Sequence, residues 1–214
     1  MRLPFEVERR LRKFCISGLM RYIVVGTAVT YLVALVTQFG LIGQMTLERD
    51  LVFQGQLWRL ITFVFVPSSL SPLWALLSLY FYFMIGTQVE NSWGTVKFNL
   101  YYWIGVLGAI AAAMLTGYAT NTFLNLSLFF AFAILNPQAE VRLFFAIPIQ
   151  IKYLALANAL YYLYVFIVGD WSTRAMILFS LLNLFLFLGG VFINWVRRDA
   201  RHWKTRYNFR KNMR

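Results

Sequence analysis

Cysteine and histidine are almost missing from this 214-residue chain: Cys15 and His202 are its single examples. One thiol excludes an intrachain disulfide framework and any CxxC site. One histidine, set in a basic terminal run, leaves no His/Cys/carboxylate cluster with metal-ligand spacing. Acidic residues are scarce as well, eight against 20 Lys and Arg, for a net charge of +12. No glycine-rich phosphate loop is present, so no cofactor is expected. Internal repeats of the kind that mark many transporters are absent too, as is any sign of a second globular domain.

What fills the chain is oil. Hydrophobic residues make up 60% and aromatics 19%, against about 45–50% apolar in soluble domains. Several apolar runs approach the roughly 20 residues that a helix needs to cross a bilayer, and they do not alternate as β-barrel strands would. The expected class is an all-α polytopic membrane protein. The positive charge sits at its ends: fourteen of the 20 Lys and Arg lie before residue 22 or after residue 196. On such a chain this pattern reads as the positive-inside rule. The tail RRDARHWKTRYNFRKNMR is expected to touch anionic headgroups; nucleic acid is the weaker partner for it.

Residues 1–19 read as an amphipathic cytoplasmic segment, with Phe5, Val7, Leu11 and Phe14 sharing a face. Residues 20–195 form the membrane domain and 196–214 the basic cytoplasmic tail. Six spans are expected, at about residues 20–42, 72–87, 98–117, 122–135, 153–168 and 175–195. Between the first two lies an apolar but interrupted stretch, Gly43 to about Ser71, too polar to cross. Six spans put both termini on one side. With that side cytoplasmic, 17 basic residues fall inside and three, Arg49, Arg59 and Arg174, fall outside. The charged start runs into a full span without a small-residue cleavage site, so no cleaved signal peptide is expected. Compact loops favour a bacterial cell membrane over an endoplasmic reticulum.

Span three carries Gly105, Ala109, Ala113 and Gly117 at every fourth residue, a bare face that lets other helices approach. Span four is short. Its 14 or so residues give roughly 21 Å of helix against a hydrocarbon core of about 30 Å. It therefore needs surrounding helices, a hollow or a thinned bilayer.

The loop bearing GQLWRLIT, a second span closing in VENSWGTVKFNLYY and the connector LNPQAEVRLFFAIPIQIKYLAL together resemble the rhomboid superfamily. The pair Gly189-Gly190 in span six fits as well. The resemblance covers nearly everything from span one to span six. It implies a six-transmembrane-helix bundle with the first loop lying sideways in the outer leaflet. Carried over, Trp58-Arg59 is that loop's Trp-Arg element, and Glu90, with Trp93 and Gly94, is the Glu-x-x-x-Gly element ending span two. Arg59 is then expected to pin the loop through backbone carbonyls or headgroups, because an unpaired ionisable group at such depth costs a few kcal/mol. The plainer alternative is an arginine that snorkels to the surface. Glu90 and Arg59 belong to opposite membrane faces.

Active rhomboids open span four with Gly-x-Ser-Gly and place a histidine base in span six. Here TNTFLNLSLFF contains no such motif. Counting back from Pro137 puts the lost serine near Thr122; counting back from Gly189-Gly190 puts the lost histidine at Phe187. A hydroxyl without a base is a poor nucleophile. Among inactive branches, WRLITFVFVPSSLSPLWALLSLYFYFMIGTQVENSWG is similar to the derlins, which bind membrane or misfolded clients, pass them to a degradation or extraction machine and thin the bilayer locally. The long basic tail departs from derlins, and no motif for recruiting an extraction ATPase is evident.

The expected function is therefore that of a pseudoprotease, not an enzyme. It would engage membrane-protein clients at a lateral gap near spans two and five, with Asn125, Ser127, Asn158 and Asn183 as polar contacts. The plain alternative for these four is helix–helix hydrogen bonding. Two other functions compete: a small-solute conduit or lipid-perturbing scaffold, although no charge is clearly placed mid-span; and a cryptic intramembrane hydrolase using Ser127 or Thr122.

Overall fold

The computed structural model describes residues 5–143 and 147–189. Gly190, the end of the sixth expected span, His202 and the basic tail 196–214 lie outside the described residues, as do the side chains of Phe5 and Val7. Five described helices are long and apolar enough to cross a membrane: α2 (Leu19–Val36), α6 (Pro72–Trp93), α7 (Thr95–Thr116), α9 (Ile151–Val168) and α10 (Trp171–Gly189). A further apolar helix, α8 (Thr122–Leu135), has 14 residues, fewer than a full crossing needs. The chain is an all-α polytopic membrane bundle. Before α2, the short helix α1 (Phe5–Arg12) packs on α7; Phe14 lies beyond its end and is exposed.

The first expected span is cut short. α2 stops at Val36 because Gln38 and Phe39 take left-handed backbone conformations, and the Phe39 N–H turns back to the Ala34 carbonyl at 2.6 Å, closing the last turn. A separate short helix, α3 (Gly40–Met45), follows. The second span is instead longer than expected. Ser71 precedes Pro72, which suits the first helical position, and the helix runs to Trp93 until Gly94, at φ +81°, ends it. α7 starts at the next residue, so a single glycine makes the α6–α7 turn; a left-handed φ there suits glycine alone.

The lateral stretch is built of small pieces: β1 (Leu47–Glu48), α4 (Arg49–Phe53), α5 (Arg59–Thr62) and a 3₁₀ turn over Phe63–Phe65. β1 pairs antiparallel with β2 (Tyr118–Ala119), Leu47 facing Ala119, which ties the stretch to the far end of α7. The connector between α8 and α9 is a two-stranded hairpin, β3 (Glu140–Leu143) with β4 (Ile147–Gln150).

α7 supplies the centre, with Phe98, Tyr101, Tyr102, Ala112 and Ala113 almost fully enclosed. Lipid tails are as apolar as a protein core, so close packing rather than escape from water holds such a bundle. Two glycines show how close. At Gly86 of α6 an added Cβ meets the Met20 side chain of α2; at Gly105 of α7 it would lie 2.5 Å from Leu124 Cδ1 and 2.8 Å from Asn183 Nδ2. The small-residue face of α7 is thus where α8 and α10 seat. α9 is different: of its described residues Ile151 alone is buried, while Leu156, Leu160, Leu163 and Ile167 face outward.

The turn from α9 to α10 is closed by charge. Asp170 Oδ1 accepts from the Thr173 hydroxyl at 2.5 Å and the Thr173 N–H at 3.3 Å. Arg174 donates to the Phe166 and Ile167 carbonyls at the end of α9. The hydrogen bond from the Thr173 side chain holds the Asp170 carboxyl below the ordinary carboxylate range. Its contribution is therefore present above that range and lost as pH falls through the lowered value. Hydrogen exchange at the Thr173 amide, corrected for the intrinsic rate, is expected to speed up on such acidification, and Asp170→Asn to remove that pH dependence.

Candidate functional site

Arg59 sits at the first turn of α5 and is 4% exposed. Its Nη1 donates to the carbonyls of Gly43 (2.9 Å) and Thr46 (2.7 Å), and its Nε to Gln56 Oε1 (2.8 Å). The guanidinium fork thus gathers the end of α3, the start of β1 and the α4–α5 loop on one charge. Trp58 donates from Nε1 to the Gln44 carbonyl at 3.3 Å, and the residue as a whole is 54% exposed. Phe53, Leu57 and Ile61 are exposed alongside it.

Glu90 does the equivalent at the other end. Buried in the last turn of α6, its Oε1 accepts from the Gly18 N–H and the Thr95 hydroxyl, both at 3.0 Å. It joins the start of α2 to the start of α7. Asn99 of α7 adds a second tie, exchanging hydrogen bonds with both backbone groups of Ile16. Gly18 precedes the 18-residue α2 and Gly43 follows it, so Glu90 and Arg59 stand about 27 Å apart along the helix axis. Trp93 stacks on Phe187 of α10, and both rings meet Tyr101 edge-on.

These contacts decide the Thr122–Phe187 question. Thr122 begins α8 and lies on the same side of it as Asn125, whereas Ser180 of α10 donates from its hydroxyl to the Phe123 carbonyl at 2.7 Å. Phe187, seven residues further on, lies about 10 Å along the helix, at the Glu90 end. The structure does not bring Thr122 and Phe187 together.

Across from α8, α10 instead presents Ser180 and Asn183. With Ser127, Thr120 and Gly105 they line a small chamber of about 20 Å³. The Ser127 hydroxyl donates to the Leu124 carbonyl of its own helix at 2.8 Å, and Asn183 Nδ2 donates to the Tyr101 carbonyl at 3.2 Å. Among the described residues, no histidine, lysine or carboxylate lines the chamber. Its Ser127 is therefore a donor without a general base beside it. Ser180 escaped the sequence reading. The signal was there: two polar residues three apart on an apolar helix, Ser180 and Asn183, share a face.

The four polar residues singled out by sequence divide into two pairs. Ser127 and Asn183 belong to the small chamber. Asn125 and Asn158 line a separate cleft of about 370 Å³, flanked by α6 and α9 with α8 as its floor. Helical phase makes the division: Asn125 and Ser127 are two residues apart, hence about 200° apart around α8. In the cleft, Asn125 faces the Tyr82 hydroxyl, which also accepts from Ser68 Oγ at 3.3 Å. Asn158 Nδ2 donates to the Leu154 carbonyl of its own helix at 3.0 Å. Trp74, Leu77, Phe129 and Tyr162 supply apolar walls. The Asn121 amide at the head of α8 donates to the Val64 and Val66 carbonyls, so the lateral stretch and the cleft floor are one assembly. Tyr82 and Tyr162 also escaped the sequence reading, since aromatic residues are so common in this chain.

A family model described as the Der1-like family matches residues 16–198. No curated protein matches the chain.

Proposed function

We propose, because this chain belongs to the Der1-like family, that it is a non-catalytic rhomboid-like protein that holds transmembrane segments of client proteins and hands them to quality-control or trafficking machinery. One observation carries the reading. A cleft between two membrane helices, mostly apolar, has the amides of Asn125 and Asn158 in its walls. A well-packed transmembrane helix gains little from such a surface. A helix with an unsatisfied polar group gains about 0.6–2 kcal/mol for each interhelical hydrogen bond it finds there. The short α8 supports local bilayer thinning beside the cleft, which favours clients whose own apolar stretch is short. Both termini on the cytoplasmic side, and anionic headgroups at the basic ends, complete the proposed arrangement.

A photoreactive amino acid at Leu77 of α6 or Leu154 of α9 tests it in native membranes. Membrane polypeptides are expected in the crosslinked product, and the combined change Asn125→Leu, Asn158→Leu is expected to reduce their yield about tenfold, the product of two such hydrogen bonds. Recovery of lipid alone, or a yield indifferent to both amides, defeats the reading.

A further inference from the structure

On a neighbouring face of α9 lies a second opening, about 490 Å³, between α8, α9 and α10. We propose that it binds one anionic phospholipid, with an acyl chain against Ala133, Ala155, Ala159, Leu184 and Leu188 and the headgroup phosphate on Lys152. The space exists because α9 places Ala155 and Ala159 one turn apart, facing Ala133 of α8. Larger side chains at these three positions would fill it. The walls are carbon almost throughout. Among the described residues that line it, Lys152 carries the one charge, and it has no ion-pair partner among the described residues.

Length separates a lipid from a client helix. From Lys152 to Ala159 is seven residues, about 10 Å along the axis, whereas a crossing helix needs the full hydrocarbon thickness of about 30 Å. The groove serves one leaflet only. Its charge is not in the middle, where a client's polar group would meet it, but at one end. Lys152 stands in the first turn of α9, at the end of the bundle that holds Glu90, and there a headgroup lies above its chain. The ammonium rests 4.9 Å from the Tyr153 ring, an interfacial aromatic of the kind that marks headgroup depth. None of this depends on the client cleft, which is lined by other residues of α9, Leu154, Asn158 and Tyr162.

The test uses the full chain in vesicles of phosphatidylcholine with a trace of photoreactive lipid. Two probes carry the same diazirine acyl chain, one on phosphatidylglycerol and one on phosphatidylcholine, and adducts are mapped by mass spectrometry. Labelling of the outward face of α2 around Val25 and Val29 normalises the two. Phosphatidylglycerol is expected to label residues 152–159 and 181–188 about fivefold more than phosphatidylcholine, the preference that one lysine at the membrane surface confers. Lys152→Gln is expected to bring the two probes level, Lys152→Arg to keep the preference, and Ala159→Phe to remove both adducts. Equal labelling by the two probes in the unaltered chain, or a preference that survives Lys152→Gln, overturns the proposal. Lys152 is exposed, so its replacements leave the packed bundle intact even where Ala159→Phe does not.

Discussion

Replacing Arg59 with methionine is expected to lower the unfolding free energy in mild detergent by about 2–4 kcal/mol, the order expected for losing three hydrogen bonds to a charged donor whose acceptors are partly open to solvent. The change keeps apolar bulk but removes every donor. The carbonyls of Gly43 and Thr46 and the amide of Gln56 lose the guanidinium they share, which is itself buried. Arg59→Lys is expected to recover part of the loss. An ammonium reaches one or two of these acceptors but lacks the rigid fork that serves all three at once. Tryptophan fluorescence during chaotrope unfolding measures the effect, and limited proteolysis within residues 43–71 locates it, since the lateral stretch should open before the bundle does. A loss below about 1 kcal/mol would mean that these contacts are worth no more than an exposed pair.

Gly105→Leu is expected to cost about 3 kcal/mol, the upper part of the range for overpacking a filled interior. The first added carbon already lies within 3 Å of both Leu124 and Asn183, and neither is free to move aside. Leu124 is buried on α8, and the Asn183 amide is fixed on the Tyr101 carbonyl. The same helix carries its own control. At Gly108 an added Cβ meets only Phe179, at 4.0 Å, so Gly108→Ala is expected to be neutral or to gain up to about 1 kcal/mol from helix propensity. Equal effects at the two positions would show that the close seating of α8 and α10 on α7 does not contribute as described. The α7 face is also where the chamber lies, so Gly105→Leu reports on the integrity of that chamber as well.

The class of this protein was legible because it follows from composition and run length. Which segments leave water is decided over some 20 residues at a time, and helices α6 to α10 begin within a few residues of their expected starts. The lateral stretch was legible for a similar reason: Arg59, flanked by Trp58 and Leu60, has no place in a crossing helix unless something pairs with it. Tertiary structure decided what pairs with it, and which residues face one another. α2 ends early because of a turn that folds back on Ala34, and the β1–β2 pair joins residues some 70 positions apart. The placement of Ser180 against α8, rather than Phe187, rests on a hydrogen bond spanning 57 residues, and that of Asn183 against α7 on one spanning 82. Asn125 and Ser127 look alike in the sequence and part company only once α8 is rotated into place. Hydrophobicity says that a helix enters the membrane but is nearly blind to its rotation, because lipid and neighbouring helix are equally apolar; the rotation is set by close contacts at a few small and polar side chains, whose partners lie far away in the chain.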